Sequence, residues 1–235
     1  MKKQDFIKGF KDGMPIGIGY LAVSFAFGIF AVANGLSAAE SLLISMTNLT
    51  SAGQLAAVPI IAGGGAFIEL VVAQLIINLR YALMSVSLSQ KLDKSVRGFE
   101  RFLIAFGNTD EIFAVAMSKS QEVTSHYMYG LILSPYLGWS LGTILGAVAG
   151  DILPAIIVSA LGVAIYGMFV AIVVPVIKTE KNTALCVLLA VALSCAFRYI
   201  PVLKVVPSGF VIIICAVIAS AVFAVIAPIT QKEGN

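Results

Sequence analysis

The chain has 235 residues, of which 60% are hydrophobic and 11% charged, and its formal net charge is +3; the mean hydropathy is +1.01. Soluble domains carry about 25% charged residues, so the composition excludes a soluble globular protein and leaves no room for a separate soluble domain. The small positive charge gives no basis for a nucleic-acid partner, because in a chain surrounded by membrane lipid the position of charge decides more than its sum.

In chain order, MKKQDFIKGFKDG reads as a charged tail over residues 1–13. The apolar run after it is too long for a signal peptide and no A-x-A-like cleavage site follows, so it reads as a retained helix. A spanning helix needs about 20 apolar residues. Six segments meet this: 14–34, 66–88, 127–150, 153–177, 183–199 and 205–228, with a tail over 229–235. Two more are apolar but interrupted. The first, 41–62, holds TNLTSAGQLAAVP; the second, 102–118, holds FGNTDE. The fold class is thus all-α and integral to the membrane, with about six full transmembrane helices and two interrupted ones in a single domain over residues 1–235.

Loop charge orients the chain. If both interrupted segments are re-entrant hairpins, one side of the membrane holds twelve Lys or Arg residues, from Lys2 through Lys91, Lys94, Arg97 and Arg101 to Lys232, and the other only Lys204. If both cross fully, the division is eight against five. The re-entrant arrangement places both termini in the cytoplasm; kinked crossings of odd total number give the same loops. In the re-entrant arrangement the first segment dips from outside and the second from inside, as in transporters built from inverted repeats. Irregular backbone at membrane depth persists only inside protein or beside an aqueous cavity.

Arg80 lies eleven residues before Lys91, roughly 16 Å from the inner boundary and too deep to snorkel. Its cost in the membrane demands a partner. Two readings stand: a clamp for a substrate carboxylate, or an ion pair holding two helices. Asp110 and Glu111, at the tip of the second interrupted segment, reach similar depth. Either carboxylate can pair with Arg80, bind a substrate ammonium, carry a coupled proton or cap the half-helix behind Asn108. In the first segment Asn48, Thr50, Ser51, Gly53 and Gln54 read as substrate-binding, with Asn108 facing them from the second. Glu69 reads as interfacial or facing an outer vestibule, Asp151 as a turn residue, His126 as a loop residue, and Arg198 as a snorkelling side chain.

Gly138, Gly142, Gly146 and Gly150 repeat the G-x-x-x-G spacing. They form a packing face for an internal helix or a partner chain. Cys186, Cys195 and Cys215 lie in apolar segments without metal-ligand spacing, and no metal or cofactor is expected. No zinc-protease, P-loop, Rossmann or Ser-His-Asp pattern is present, so no enzymatic activity is expected.

The block NLTSAGQLAAVPIIAGGGAFIELVVAQLIINLRYALMSVSL, followed by TDEIFAV and YLGWSLGTILGAVAGDILP, resembles the AzlC family over roughly residues 10–180. That family comprises the large subunits of branched-chain amino acid exporters. The resemblance implies efflux of small apolar amino acids together with a small AzlD-type membrane subunit. The face around Gly142 and Gly146 is a candidate docking surface for that subunit. The chain departs from the family at Tyr81, where many members carry histidine, so no histidine-based proton role carries over there. The expected function is secondary export of branched-chain amino acids across the cytoplasmic membrane, with a proton as candidate coupling ion. The alternative is a channel-like pore whose two opposed half-helix hairpins form a constriction. The acidic pair favours transport, because a coupled transporter needs a titratable group at its centre and a channel does not.

Overall fold

The computed structural model describes residues 2–94, 96–154, 156, 170, 173–174, 177–178 and 180–227. The expected span 153–177 lies mostly outside the described residues, and the tail 229–235 lies wholly outside them. The helices are α1 (Lys2–Ala33), α2 (Ala38–Thr47), α3 (Ser51–Ala62), α4 (Phe67–Lys91), α5 (Phe99–Phe106), α6 (Asp110–Met117), α7 (Ser125–Ile152), α8 (Lys181–Tyr199) and α9 (Ser208–Ile226), with a 3-10 turn at Pro201–Val205 before the last. Four of them, α1, α4, α7 and α8, are long and apolar enough to cross a membrane. Both interrupted segments are broken, at 48–50 and at 107–109. Within the charged stretch, residues 2–13 form the first turns of α1. Its Gly9 and Gly13 pack on α7, and that packing carries the helix past Pro15, where one backbone bond is forfeited.

The residues group into two compact units, 1–58 with 77–165, and 59–76 with 166–235. The first is built on α1 and α7, which run parallel in close contact. A Cβ on Gly13 would lie 2.6 Å from the Leu131 carbonyl oxygen, and one on Gly17 would lie 2.8 Å from that of Ser134. From the other helix, Gly138, Gly142 and Gly146 meet the backbone of Gly17, Leu21 and Phe25. Backbone meets backbone because these positions carry no side chain. The expected docking surface around Gly142 and Gly146 is therefore already filled by α1, and a partner subunit has no access to it.

At one end of this pair, several segments meet. Lys119 Nζ lies 2.7 Å from Asp12 Oδ2, and the Tyr127 hydroxyl donates to the same oxygen at 2.8 Å. The Val123 amide donates to the Lys91 carbonyl, and the Asp93 amide to the Val123 carbonyl. The amino-terminal ends of α1 and α7 thus share a level with the carboxy-terminal ends of α4 and α6. Toward the other end, Phe27 and Ala31 of α1 pack with Leu36 and Val58, joined by Ile44 and Leu55. That places the start of α2 and residues 55–58 of α3 together.

Asp12 and Lys119 lie beyond the expected spans. The Lys119 ammonium, donating to Asp12, holds that carboxyl below the usual carboxylate range, and the Asp12 carboxylate holds the ammonium above the usual lysine value. Asp12's share of the stability is present above the ordinary carboxylate pKa and is lost as pH falls through the lowered value. Lys119's share is present below the ordinary lysine pKa and is lost as pH rises through the raised value. Asp12→Asn is expected to cost about 1 kcal/mol at neutral pH, and the difference in thermal midpoint from wild type should shrink as the pH falls below the ordinary carboxylate range and through the lowered value. A constant difference across that range would assign the loss to packing.

In the second unit, Gly64 takes a positive φ of 64° in the turn after α3, a backbone region open to glycine at little cost. Glu69, expected at an interface, is 3% exposed, packed beside Gly65 in that turn. Helices α8 and α9 pack together, with the half-buried Cys186 Sγ 3.6 Å from the Ala219 carbonyl oxygen.

Candidate functional site

The first break follows from local chemistry. Ser37 and Glu40 form a capping box that starts α2, each satisfying an amide the other's backbone leaves open. The helix stops at Asn48, whose side-chain oxygen accepts from the Thr50 hydroxyl at 2.9 Å. Such local bonds offer backbone an alternative to continuing the helix. Ser51 opens α3.

Gln54 does not project from this break into open space. It is fully buried; its Nε2 donates to Ser45 Oγ at 2.8 Å and its Oε1 accepts from Trp139 Nε1 at 2.9 Å. Ser45 Oγ and Thr143 Oγ1 lie 2.7 Å apart, and the Thr143 hydroxyl donates to the Trp139 carbonyl at 3.0 Å. Both ends of the amide are thus engaged by protein, and these contacts tie the first turn of α3 to α2 and α7. A half-satisfied network of this kind would cost about 1–3 kcal/mol per orphaned group. Asn48, Thr50 and Ser51 are half-buried around the break, and Gly53 is buried within the first turn of α3.

At the second break the cap falls to Thr109, whose hydroxyl oxygen accepts from the Ile112 amide. Asp110 and Glu111, neither of them needed as a cap, turn to partners. Arg80 Nη2 lies 2.8 Å from Asp110 Oδ2 and donates to the Tyr81 hydroxyl at 3.0 Å, its guanidinium carbon 4.8 Å from the Tyr81 ring centre. Glu111 takes a hydrogen bond from the Tyr20 hydroxyl, which also contacts Thr109 Oγ1 at 2.8 Å. Asn108 is 3% exposed; its Nδ2 donates to Ser85 Oγ at 3.3 Å while its Oδ1 is buried without a partner among the described residues.

Two aromatic rings join these parts. Tyr20 stands edge-on to Trp139, with ring centres 5.1 Å apart and planes at 72°. From Gln54 the contacts therefore run through Trp139 and Tyr20 to Thr109 and Glu111, with Asp110, Arg80 and Tyr81 beside them. Tyr136 makes a second link, its hydroxyl donating to the Met46 carbonyl at 3.3 Å and its ring 6.5 Å from that of Phe106. Sequence reasoning missed Tyr20, Ser45, Tyr136, Trp139 and Thr143. Trp139 carried a signal: it is the one tryptophan of the chain, it sits mid-helix instead of at a helix end, and a buried indole N–H needs an acceptor.

The charges do not cancel. Arg80 offsets Asp110, and Glu111 meets only neutral groups among the described contacts. The Arg80 and Asp110 side chains retain 53% and 43% of their exposure, so the pair leaves one face open to a ligand.

Long apolar helices, with two elements broken by polar turns and charge gathered at one break, define an α-helical membrane protein. Comparison with known proteins gives the group: the AzlC protein family model matches residues 15–153, and the chain belongs to that family. The match stops short of residue 180, where the sequence resemblance extends. The chain is 30% identical to the inner membrane protein YgaZ of Escherichia coli over 190 residues, covering 77% of this chain and 76% of the relative. It is 32% identical to an uncharacterized membrane protein of Archaeoglobus fulgidus over 181 residues, 75% of this chain and 78% of the relative. A membrane protein of Helicobacter pylori is 25% identical over 154 residues, 63% of this chain and 67% of the relative. No solved structure matches the chain.

Proposed function

We propose that this chain is a secondary transporter that exports branched-chain and other small apolar amino acids across the cytoplasmic membrane, in exchange for protons and together with a small AzlD-type membrane subunit. The observation that carries the reading is the uncancelled charge at the second break, Arg80 with Asp110 and Glu111 beside Tyr20. A zwitterion brings one anion and one cation, and bare charge at low dielectric costs far more than an apolar side chain returns. Arg80 suits the carboxylate, with Asp110 displaced or shared; Glu111 suits the ammonium. A proton on Glu111 leaves the empty site neutral on the return step, which lowers the cost of carrying charge at membrane depth. Apolar walls then take the branched side chain, worth roughly 1.5–3 kcal/mol when fully buried.

The expected topology draws support from the shared levels in the first unit. Lys119 lies beside Asp12, and Lys91 beside Val123, as befits a second segment that enters and leaves on the cytoplasmic side. Val58 beside Leu36 befits a first segment that does so from outside, and the two together suit an inverted arrangement. In a chain freed of its own cysteines, Lys3→Cys and Lys94→Cys should react with an impermeant maleimide only from the cytoplasm, and Ala38→Cys only from outside. Reaction of Lys94→Cys from outside would overturn the re-entrant reading. The function itself is tested by counterflow of labelled leucine, valine, isoleucine and methionine in proteoliposomes containing the chain and its small subunit, with and without a pH gradient. Accumulation that ignores the gradient removes proton exchange from the proposal, and no counterflow of any of the four removes the substrate class.

A further inference from the structure

The two breaks hold the groups assigned to substrate and proton, yet the break of α2 and α3 and that of α5 and α6 meet through side chains of α1 and α7. On the amino-terminal halves the link is Gln54 to Trp139 to Tyr20 to Glu111 and Thr109. Each step is specific. The indole N–H has one proton and gives it to Gln54. The Tyr20 hydroxyl sits at Thr109, which caps α6, and at the Glu111 carboxylate in its first turn. Between them lies an edge-on aromatic contact, a geometry that ring quadrupoles favour and that sliding or tilting either ring weakens. Helices α1 and α7, which carry the rings, touch backbone to backbone at Gly13, Gly17, Gly138 and Gly142. Such an interface leaves little room for one helix to move against the other, so a displacement of either break is taken up by the rings.

We infer that Tyr20 and Trp139 are positioning residues that couple the two breaks, so that a change in charge at Glu111 alters the conformation of the break at 48–50. The inference deepens the transport reading, because coupled movement of two gates is what exchange of a proton for a substrate demands; its test, however, needs no transport. A double-mutant design measures the coupling directly.

The full chain, with Cys186, Cys195 and Cys215 replaced by alanine, carries Thr50→Cys as reporter of the first break. The rate of its alkylation by a soluble maleimide is measured in proteoliposomes. Glu111→Gln is expected to change that rate about fivefold or more, the lower end of typical coupling between sites. In a Trp139→Phe background, which retains a ring but loses the indole N–H, the same Glu111→Gln change should have no effect on the rate. Gln54→Met breaks the same hydrogen bond from the other side and should give the same result should Trp139→Phe not fold. Tyr136→Leu, which cuts the link between Met46 and Phe106, should leave the response intact. The inference is overturned if Glu111→Gln leaves the Thr50→Cys rate unchanged, if the response survives both Trp139→Phe and Gln54→Met, or if Tyr136→Leu alone removes it. Intact coupling in a chain that moves none of the four amino acids would sink the substrate reading and leave this inference standing.

Discussion

Arg80→Gln is expected to abolish leucine export while the protein still inserts and folds. The substitution does two things at once. It removes the cation that faces a substrate carboxylate, and it leaves Asp110, 2.8 Å away in the native chain, as a second uncompensated anion next to Glu111. The pair keeps about half of its exposure, so the larger loss is the charge-assisted contact to the substrate carboxylate, about 1.5–3 kcal/mol, or about one to two orders of magnitude in apparent affinity. The single variant cannot separate a substrate clamp from a structural ion pair, but Arg80→Gln with Asp110→Asn can. That double variant restores charge balance without restoring the guanidinium. Export should remain absent if Arg80 binds the carboxylate; a return to wild-type initial rates would make the arginine a helix clamp and leave the carboxylate to backbone groups.

The second large effect lies at the interface of α1 and α7. Gly138→Leu should eliminate recovery of monodisperse protein in detergent, because its Cβ would fall on the Gly17 carbonyl and backbone cannot step aside as a flexible side chain can. Even Gly138→Ala is expected to lower the thermal midpoint by roughly 5–10 °C, from an overpacking cost of about 1–3 kcal/mol. Gly19 supplies the control. It sits two residues from Gly17 on the same helix but has nothing within 4 Å of a built Cβ among the described residues, so Gly19→Leu should be recovered like wild type. Equal losses at both positions would mean that leucine harms α1 wherever it is placed, and the packing account would fail.

The difference between these two glycines shows what was legible in the sequence and what was not. The G-x-x-x-G spacing of Gly138, Gly142 and Gly146 announced a contact face, but spacing gives the shape of a surface and not its occupant, and α1 was as eligible as a partner chain. Both breaks were legible, because polar clusters and glycine inside apolar runs have few places to go in a membrane. Arg80 and the acidic pair were legible by depth and cost alone. The choice of Asp110 over Glu111 for Arg80 was not, since it turns on Thr109 taking the cap. The partners of Gln54 were not legible for a related reason: a polar side chain at membrane depth needs a partner, and nothing local in the sequence says that the partner is an indole 85 residues away. Tyr20 and Trp139 were passed over because an aromatic residue in an apolar helix looks like packing until its polar atom is followed to its acceptor.

The glycine-lined fit of α1 to α7 also bears on how the chain is made. Roughly ninety residues separate the end of α1 from the start of α7, a delay of about 5–20 s at ordinary rates of synthesis. Throughout that interval the first helix waits in the bilayer with Ser24 and a bare glycine ridge lacking their counterpart. Neither break can take its final form either, since Trp139 and Thr143 arrive with α7. Maturation is therefore a late event for the whole first unit, and a ribosome stalled before residue 125 yields a nascent membrane protein that quality control has reason to remove.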